Sequence, residues 1–351
     1  MKIIDMRSDT VSHPTPEMRE AMYRAEVGDD GYREDPTVNR LEKMAAEKMG
    51  KEAALFVPSG TMGNLIAVLT HTRPGDEILM GSEAHIFWNE AGGASTLGGV
   101  VMHTIPNDQD GRIDVDEMAQ AIRQDDIHNP RTSLLCLENT HNRCGGAVLS
   151  PEYTAAVSER AHGRGLRVHL DGARIFNAAI ASGIPARDLA APVDSISFCL
   201  SKGLGAPVGS LICSSREFID RARKWRLMLG GGMRQAGIIA AAGIVALERM
   251  VERLVEDHAN ARRLAQGLAQ IPGVTIQPEK VITNILFFEL PEYLSAPELV
   301  KAVASKGVKL GYRGVGRRVR VVTHWMITAS DIDYALDSLR GAIEDASLVR
   351  E

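Results

Sequence analysis

The chain has 351 residues, 44% of them apolar and 24% charged, with a formal net charge of −5 and a pI near 6.1. That length allows two domains with large cores, and the mildly acidic balance argues against nucleic acid or a membrane surface as partner. The opening MKIIDMRSDT lacks a sustained apolar core and does not read as a signal peptide, and AGIIAAAGIVAL at 236–247 is too short to cross a bilayer and reads as a packed helix.

In chain order, AALFV at 53–57 reads as a strand, followed by the turn Ser59-Gly60-Thr61 and a helical pattern to about His71. EILMG at 77–81 and VVMHTI at 100–105 are the next strands. Helical DVDEMAQAIR at 114–123 leads to strand TSLLCLEN, and helical PEYTAAVSERAHGR at 151–164 leads to strand LRVHLDGA. SISFCLSKG is followed by GSLICSS, which looks like a return strand. This strand-helix alternation predicts a mostly parallel sheet covered on both faces. After Met233 the rhythm changes. One long helical pattern runs to about Ala269 and is broken by IPGV. Then follow strand NILFFEL, helix APELVKAVASKG, strand RVRVVTH and helix SDIDYALDSLRGAIEDA, which is a smaller α+β unit. Residues 1–14 are too short for a domain and are expected to pack against it. The division expected is a large domain over 15–245 and a small one built from 1–14 and 246–351. Cys136, Cys144, Cys199 and Cys213 make no C-x-x-C and fit no zinc spacing; they predict a reducing cytoplasm without structural disulfides.

Two residues carry most of the chemistry: Asp171 in VHLDGAR and Lys202 in SFCLSKGLGAPVG. Each follows a short apolar strand, and polar groups at strand ends point into the crevice where α/β sheets bind ligands. Pyridoxal 5′-phosphate (PLP) needs such a pair, a lysine for the Schiff base and an aspartate against the pyridine nitrogen. Either residue alone would read as a turn former or a surface lysine, and the surrounding motifs reverse that preference. Ser59-Gly60-Thr61 between a strand and a helix suits a phosphate cup, with Asn64 one turn further in; a plain capped turn would look the same. Gly230-Gly231-Gly232 before Met233-Arg234-Gln235 lets a backbone approach a ligand closely, and Arg234 suits a phosphate. His85, after EILMG, could stack on a pyridine ring or handle protons. Arg174, three residues after Asp171, could clamp a carboxylate, and Arg320, a cation inside the strand RVRVVTH, needs an anionic partner. Arg313, Arg317 and Arg318 read as loop and surface charge. Arg221, Arg223, Lys224 and Arg226 read as a solvated helix face. GLGAPVG at 203–209 has the wrong glycine spacing for a dinucleotide loop.

With these residues placed, the chain resembles the L-threonine aldolase family of fold-type I PLP enzymes over nearly its whole length. The resemblance rests on RSDTVSHPTPEMREAM, EDPTVNRLE, ALFVPSGTMGN, ENTHNRCGG, HLDGARIFNA, FCLSKGLGAPVGS, GGGMRQAGIIAAAG and RVVTH, in that order. It implies an aspartate-aminotransferase-type large domain with a mostly parallel sheet, a smaller α+β domain, and a homotetramer with active sites between subunits. It also implies that Lys202 is the Schiff-base lysine, Asp171 the pyridine-nitrogen partner and His85 the ring-stacking residue. Gly60 and Thr61 become phosphate ligands beside Ser59 and Asn64, with Arg234 reaching the phosphate from a neighbouring subunit. Ser8, Arg174 and Arg320 match the substrate-carboxylate clamp, His128 a histidine near the substrate side chain, and Tyr32 an active-site tyrosine. Three departures stand out. Gly31-Tyr32-Arg33-Glu34-Asp35-Pro36-Thr37 replaces the common VYGEDPT, Leu227 stands where many relatives carry lysine, and Trp325-Met326 is bulkier than usual.

The implied reaction is retro-aldol cleavage of L-threonine or L-allo-threonine to glycine and acetaldehyde, extending to β-hydroxy-α-amino acids such as phenylserine. His85, His128 or a water between them would take the β-hydroxyl proton, and a positioned base is worth roughly 10²–10⁴-fold. The rivals are another fold-type I enzyme (a transaminase, a β-eliminating lyase or a serine hydroxymethyltransferase-like enzyme), a non-catalytic PLP-binding protein, and a nicotinamide-dependent dehydrogenase resting on GLGAPVG alone.

Overall fold

The computed structural model describes residues 2–124, 126–312 and 314–348. Twelve strands lie along the described chain: β1 (Ile4–Asp5), β2 (Ala53–Val57), β3 (Glu77–Gly81), β4 (Val101–Ile105), β5 (Thr132–Glu138), β6 (Arg167–Asp171), β7 (Ser195–Cys199), β8 (Ser210–Ser214), β9 (Ile285–Glu289), β10 (Val308–Lys309), β11 (Gly311–Tyr312) and β12 (Arg318–Val322). The chain divides into two compact units, Pro14–Val251 and Met1–His13 with Glu252–Glu351.

The larger unit holds a seven-stranded sheet in the order β2-β8-β7-β6-β5-β3-β4. Its inner strands are buried on both faces, which is why TSLLCLE and SISFC read as continuous apolar runs rather than alternating ones. β3 to β7 run parallel, and β8 is the return strand, antiparallel to both β7 and β2. Asp171 therefore ends β6 level with Glu138 at the end of β5, and Lys202 follows β7 at that same carboxyl edge. A tight turn holds the lysine, with Gly205 N–H donating to Lys202 O (2.9 Å) and Ala206 N–H to Leu200 O (3.0 Å).

The smaller unit holds the antiparallel sheet β11-β12-β9 and the parallel pair β1-β10. Leu264, Phe288, Val319, Val321 and Leu339 are among its core residues. The N-terminal arm packs in this unit. Met6 N–H donates to Lys309 O and Val322 N–H to Met6 O, both at 2.9 Å. Trp325-Met326 fasten its end, because Trp325 Nε1–H donates to His13 O (3.0 Å) and His13 N–H to Met326 Sδ (3.3 Å).

Two expectations need correction. The long helix after Met233 is two helices, Gly237–Val245 and Leu254–Leu268, separated by a π-helical turn at Ala246–Met250. Glu256 and Asp257 favour a fresh helix start, since carboxylates stabilise a first turn. The basic run is not a solvated face throughout. Arg226 is buried with its guanidinium 2.7 Å from Asp30, and Arg223 pairs with Glu42 at 2.5 Å. Arg317 and Arg318 are exposed as expected, with Arg318 over the Phe287 ring, and Arg313 lies outside the described residues.

Candidate active site

Asp171 is the centre of a buried polar cluster at the carboxyl edge of the large sheet. Its carboxylate accepts from Asn64 Nδ2 (2.8 Å) and from the Ala173 amide (3.0 Å). Asn64 comes from the helix Gly60–His71 and uses its second N–H on Glu90 Oε1 (2.8 Å). Glu90 Oε1 also accepts from His85 Nδ1 (2.9 Å), whose backbone N–H donates to Glu138 Oε2 (2.7 Å). The ligand atoms of His85, Glu90 and Asp171 lie within 4.8 Å of one another.

Charge decides how this cluster titrates. Burial is the largest influence on Asp171 and drives its carboxyl up, but the charges of His85 and Lys202 and the Asn64 hydrogen bond together hold it below the usual carboxylate range. Burial likewise pulls His85 down, yet the Glu90 hydrogen bond and the charges of Asp171, Glu90 and Glu138 leave it above the ordinary imidazole value. Glu90 is pushed up, chiefly by burial and further by Asp171. The site thus gathers buried carboxylates and sets an imidazole and an amine against them.

The helix Gly60–His71 aims its N-terminus at the same edge. Ser59 Oγ caps it by accepting from the Met62 amide (3.2 Å), and first-turn amides such as those of Gly60 and Thr61 have no intrahelical partner. A Cβ on Gly60 would lie 2.8 Å from Cys199 Sγ, so only glycine fits that close approach. Arg174 is buried at the N-cap of the helix Ile175–Ser182.

The remaining candidates fall on other elements. His128 is exposed on the loop entering β5, at the opposite end of that strand from Glu138. The seven-residue strand makes six steps between its ends, roughly 20 Å at about 3.3 Å per residue. Tyr32 is 76% exposed, and Arg234 is also open to solvent, 3.5 Å from Asp29. In the small unit Ser8 and Arg320 are neighbours. Arg320 Nη1 donates to Arg7 O (3.1 Å), one residue before Ser8, which caps the short 3-10 turn Asp9–Val11.

A family model described as beta-eliminating lyase matches residues 5–291. The chain is 48% identical to low-specificity L-threonine aldolase 1 of Arabidopsis thaliana, over 98% of this chain and 97% of that one. It is 47% identical to the low specificity L-threonine aldolase of Escherichia coli K12, over 92% of this chain and 94% of that one. The chain belongs to the L-threonine aldolase family. It is therefore an enzyme of the lyase class. The solved Leishmania major threonine aldolase matches the fold with a TM-score of 0.82 at 19% identity, covering 97% of this chain and 99% of that one. The large sheet and its crossovers are those of the fold-type I PLP-dependent enzymes.

Sequence reasoning missed Glu90, Glu138, Ser197 and His169. His169 had a signal. It lies two residues before Asp171 on one strand, so both side chains point to the same face. Glu90 had none beyond its distance of five residues from His85.

Proposed function

We propose that this threonine aldolase cleaves L-threonine and L-allo-threonine to glycine and acetaldehyde, accepts further β-hydroxy-α-amino acids such as phenylserine, and uses PLP. The observation that carries the reading is the buried Asp171 carboxylate, held ionised beside His85 and the Lys202 amine. The donor set fits the cofactor. The capped helix N-terminus at Ser59, Gly60 and Thr61 offers amides to a phosphate, Asp171 offers an anion to a pyridinium nitrogen, and Lys202 offers an amine to an aldehyde. When bound, PLP supplies the electron sink that stabilises a carbanion at Cα.

The chain's own groups do the rest. His85 is fixed through Nδ1 by Glu90, which leaves Nε2 to take the β-hydroxyl proton. Arg174 in the large unit is a proposed carboxylate ligand, and Ser8 and Arg320 in the small unit are two more. Holding that carboxylate fixes rotation about Cα and sets which bond breaks. A homotetramer with shared sites is supported by the exposed positions of His128, Tyr32 and Arg234 and by the solvent-facing apolar Tyr23, Leu227 and Met228. A reducing cytoplasm suits the free, buried Cys136, Cys199 and Cys213; among the described residues no helix is long and apolar enough to cross a membrane.

The test is to mix the protein with PLP and measure acetaldehyde and glycine from L-threonine, L-allo-threonine, L-serine and D-threonine in parallel. Matching acetaldehyde and glycine from the two L-threonine isomers is the expected result. A PLP-loaded protein that makes 2-oxo acid and no aldehyde would overturn it in favour of a transaminase or β-eliminating reaction.

A further inference from the structure

Behind Asp171 lies a chain of polar groups that no step above uses. His71 Nε2 is 2.8 Å from Ser195 Oγ, Ser195 Oγ is 2.8 Å from His169 Nδ1, and His169 Nε2 is 3.2 Å from Asn64 Oδ1. Asn64 Nδ2 then reaches Asp171 at 2.8 Å. Ser197 Oγ donates to Asn64 Oδ1 at 2.6 Å. His169 and Ser195 are fully buried. Three elements each give two residues on one face. Asn64 and His71 are two turns apart on one helix, His169 and Asp171 alternate on β6, and Ser195 and Ser197 alternate on β7. The strand register sets His169 against Ser195 and Asp171 against Ser197.

The histidine directions depend on the tautomer, and the Asn64 amide assigns it. Asn64 must turn its NH₂ toward Asp171, because the flipped amide would set its oxygen against an ionised carboxylate. Its Oδ1 then accepts from His169, so His169 carries its proton on Nε2. Burial pulls the His169 imidazole down to about 4, so it is neutral and its Nδ1 is bare. Ser195 donates its one hydrogen to that Nδ1. His71, also neutral because burial pulls it down to about 3, donates from Nε2 to Ser195 Oγ. All N–H and O–H bonds therefore point one way, toward Asp171, and bonds in such a chain polarise one another.

We infer that His71, Ser195 and His169 form a one-way hydrogen-bond relay that locks the Asn64 amide and positions Asp171 for the pyridine nitrogen of the cofactor. These three are positioning residues that act through Asn64. The inference rests on the PLP reading above. Losing the lock weakens one charge-assisted hydrogen bond, so PLP binding should fall about tenfold, equivalent to about 1.4 kcal/mol.

The test compares His169→Leu, His169→Gln and Ser195→Ala with the parent for PLP affinity, read by the absorbance of the bound cofactor, and for thermal midpoint. His169→Leu should weaken PLP about tenfold. His169→Gln keeps a donor toward Asn64 and should recover most of that loss, and Ser195→Ala should fall between. Unchanged PLP affinity in His169→Leu, even with a lowered thermal midpoint, would reduce the chain to a structural role and overturn the relay. A parent that takes up no PLP would overturn the cofactor reading, and the relay's role with it, whereas a binding parent with an equally binding His169→Leu sinks the relay alone. Should the leucine variant fail to fold, neutron diffraction on the deuterated parent decides: deuterium on His169 Nε2 and none on Nδ1 is expected, and the reverse contradicts the inference.

Discussion

Asp171 and Asp257 are both buried carboxylates, one in each unit, and they titrate in opposite directions. Burial is the largest influence on each and pushes each upward. Around Asp171 stand Lys202, His85, the Asn64 amide and the Ala173 N–H, and the charge is held. Around Asp257 a single guanidinium, Arg253 at 2.9 Å, faces the additional carboxylates of Asp9 and Glu256, and the group is pushed up to about 6. Burial alone thus says little about a carboxylate's state. The balance of donors and cations against like charge decides it, and only the Asp171 surroundings hold the anion that the proposed pyridinium partner requires.

The strongest way to break this contrast is at the amine. Lys202→Ala should reduce acetaldehyde release from L-threonine to the uncatalysed background, and retained turnover would remove Lys202 from the account. Next comes the carboxylate. Asp171→Asn leaves Lys202 and His85 without their anion, and breaking a buried charge pair costs roughly 3–5 kcal/mol. We expect kcat to fall about 10²-fold or more, measured with saturating PLP.

Asp257 makes a prediction of the opposite kind. Its folded value near 6 exceeds the ordinary 3.8, so the folded state binds more protons between those values and stability falls as pH rises through that window. Two units correspond to about 3 kcal/mol. Asp257→Asn should flatten that slope in thermal unfolding measured from pH 4 to 7, with activity retained; an unchanged slope would assign it to another group. Asp171, held low, contributes stability that is lost only on acidification below 3.8.

His85 sharpens the picture further. Because Glu90 and its neighbours raise it, kcat should climb with pH through a value above 6.5 as the imidazole becomes able to accept a proton. Glu90→Gln should move that limb to lower pH, because it removes the hydrogen bond and charge that raise the imidazole. The smallest effect is at Arg33, which holds a left-handed φ of +61° where VYGEDPT relatives have glycine. Its ion pair with Asp220 is half exposed on both sides and worth little. Arg33→Gly should be neutral or stabilising by up to about 1 kcal/mol, and a clear drop in thermal midpoint would show the ion pair dominating.

Much of this molecule was legible before its structure. AALFV, EILMG, TSLLCLE and SISFC declare themselves as strands because residues buried on both faces leave no room for polar alternation. Asp171 and Lys202 declare themselves because each is a charge at the end of such a run. What was hidden depends on packing between elements. Arg226 looked like one charge in a solvated row, and only the fold brings Asp30 to it. His169 sat inside an apolar strand as one polar letter, and its meaning came from Ser195 opposite and Asn64 across the helix. The break at Ala246–Met250 carries no proline and no glycine, so a continuous helix was the natural reading.

The most direct test of the central claim is the PLP dissociation constant of Asp171→Asn set beside that of Asp257→Asn. A weakening of about 10²-fold is expected for the first, from the lost buried charge pair, and a value within twofold of the parent for the second. Equal affinities in the two variants would contradict it, because the crevice would then bind its cofactor without the anion it is built to hold.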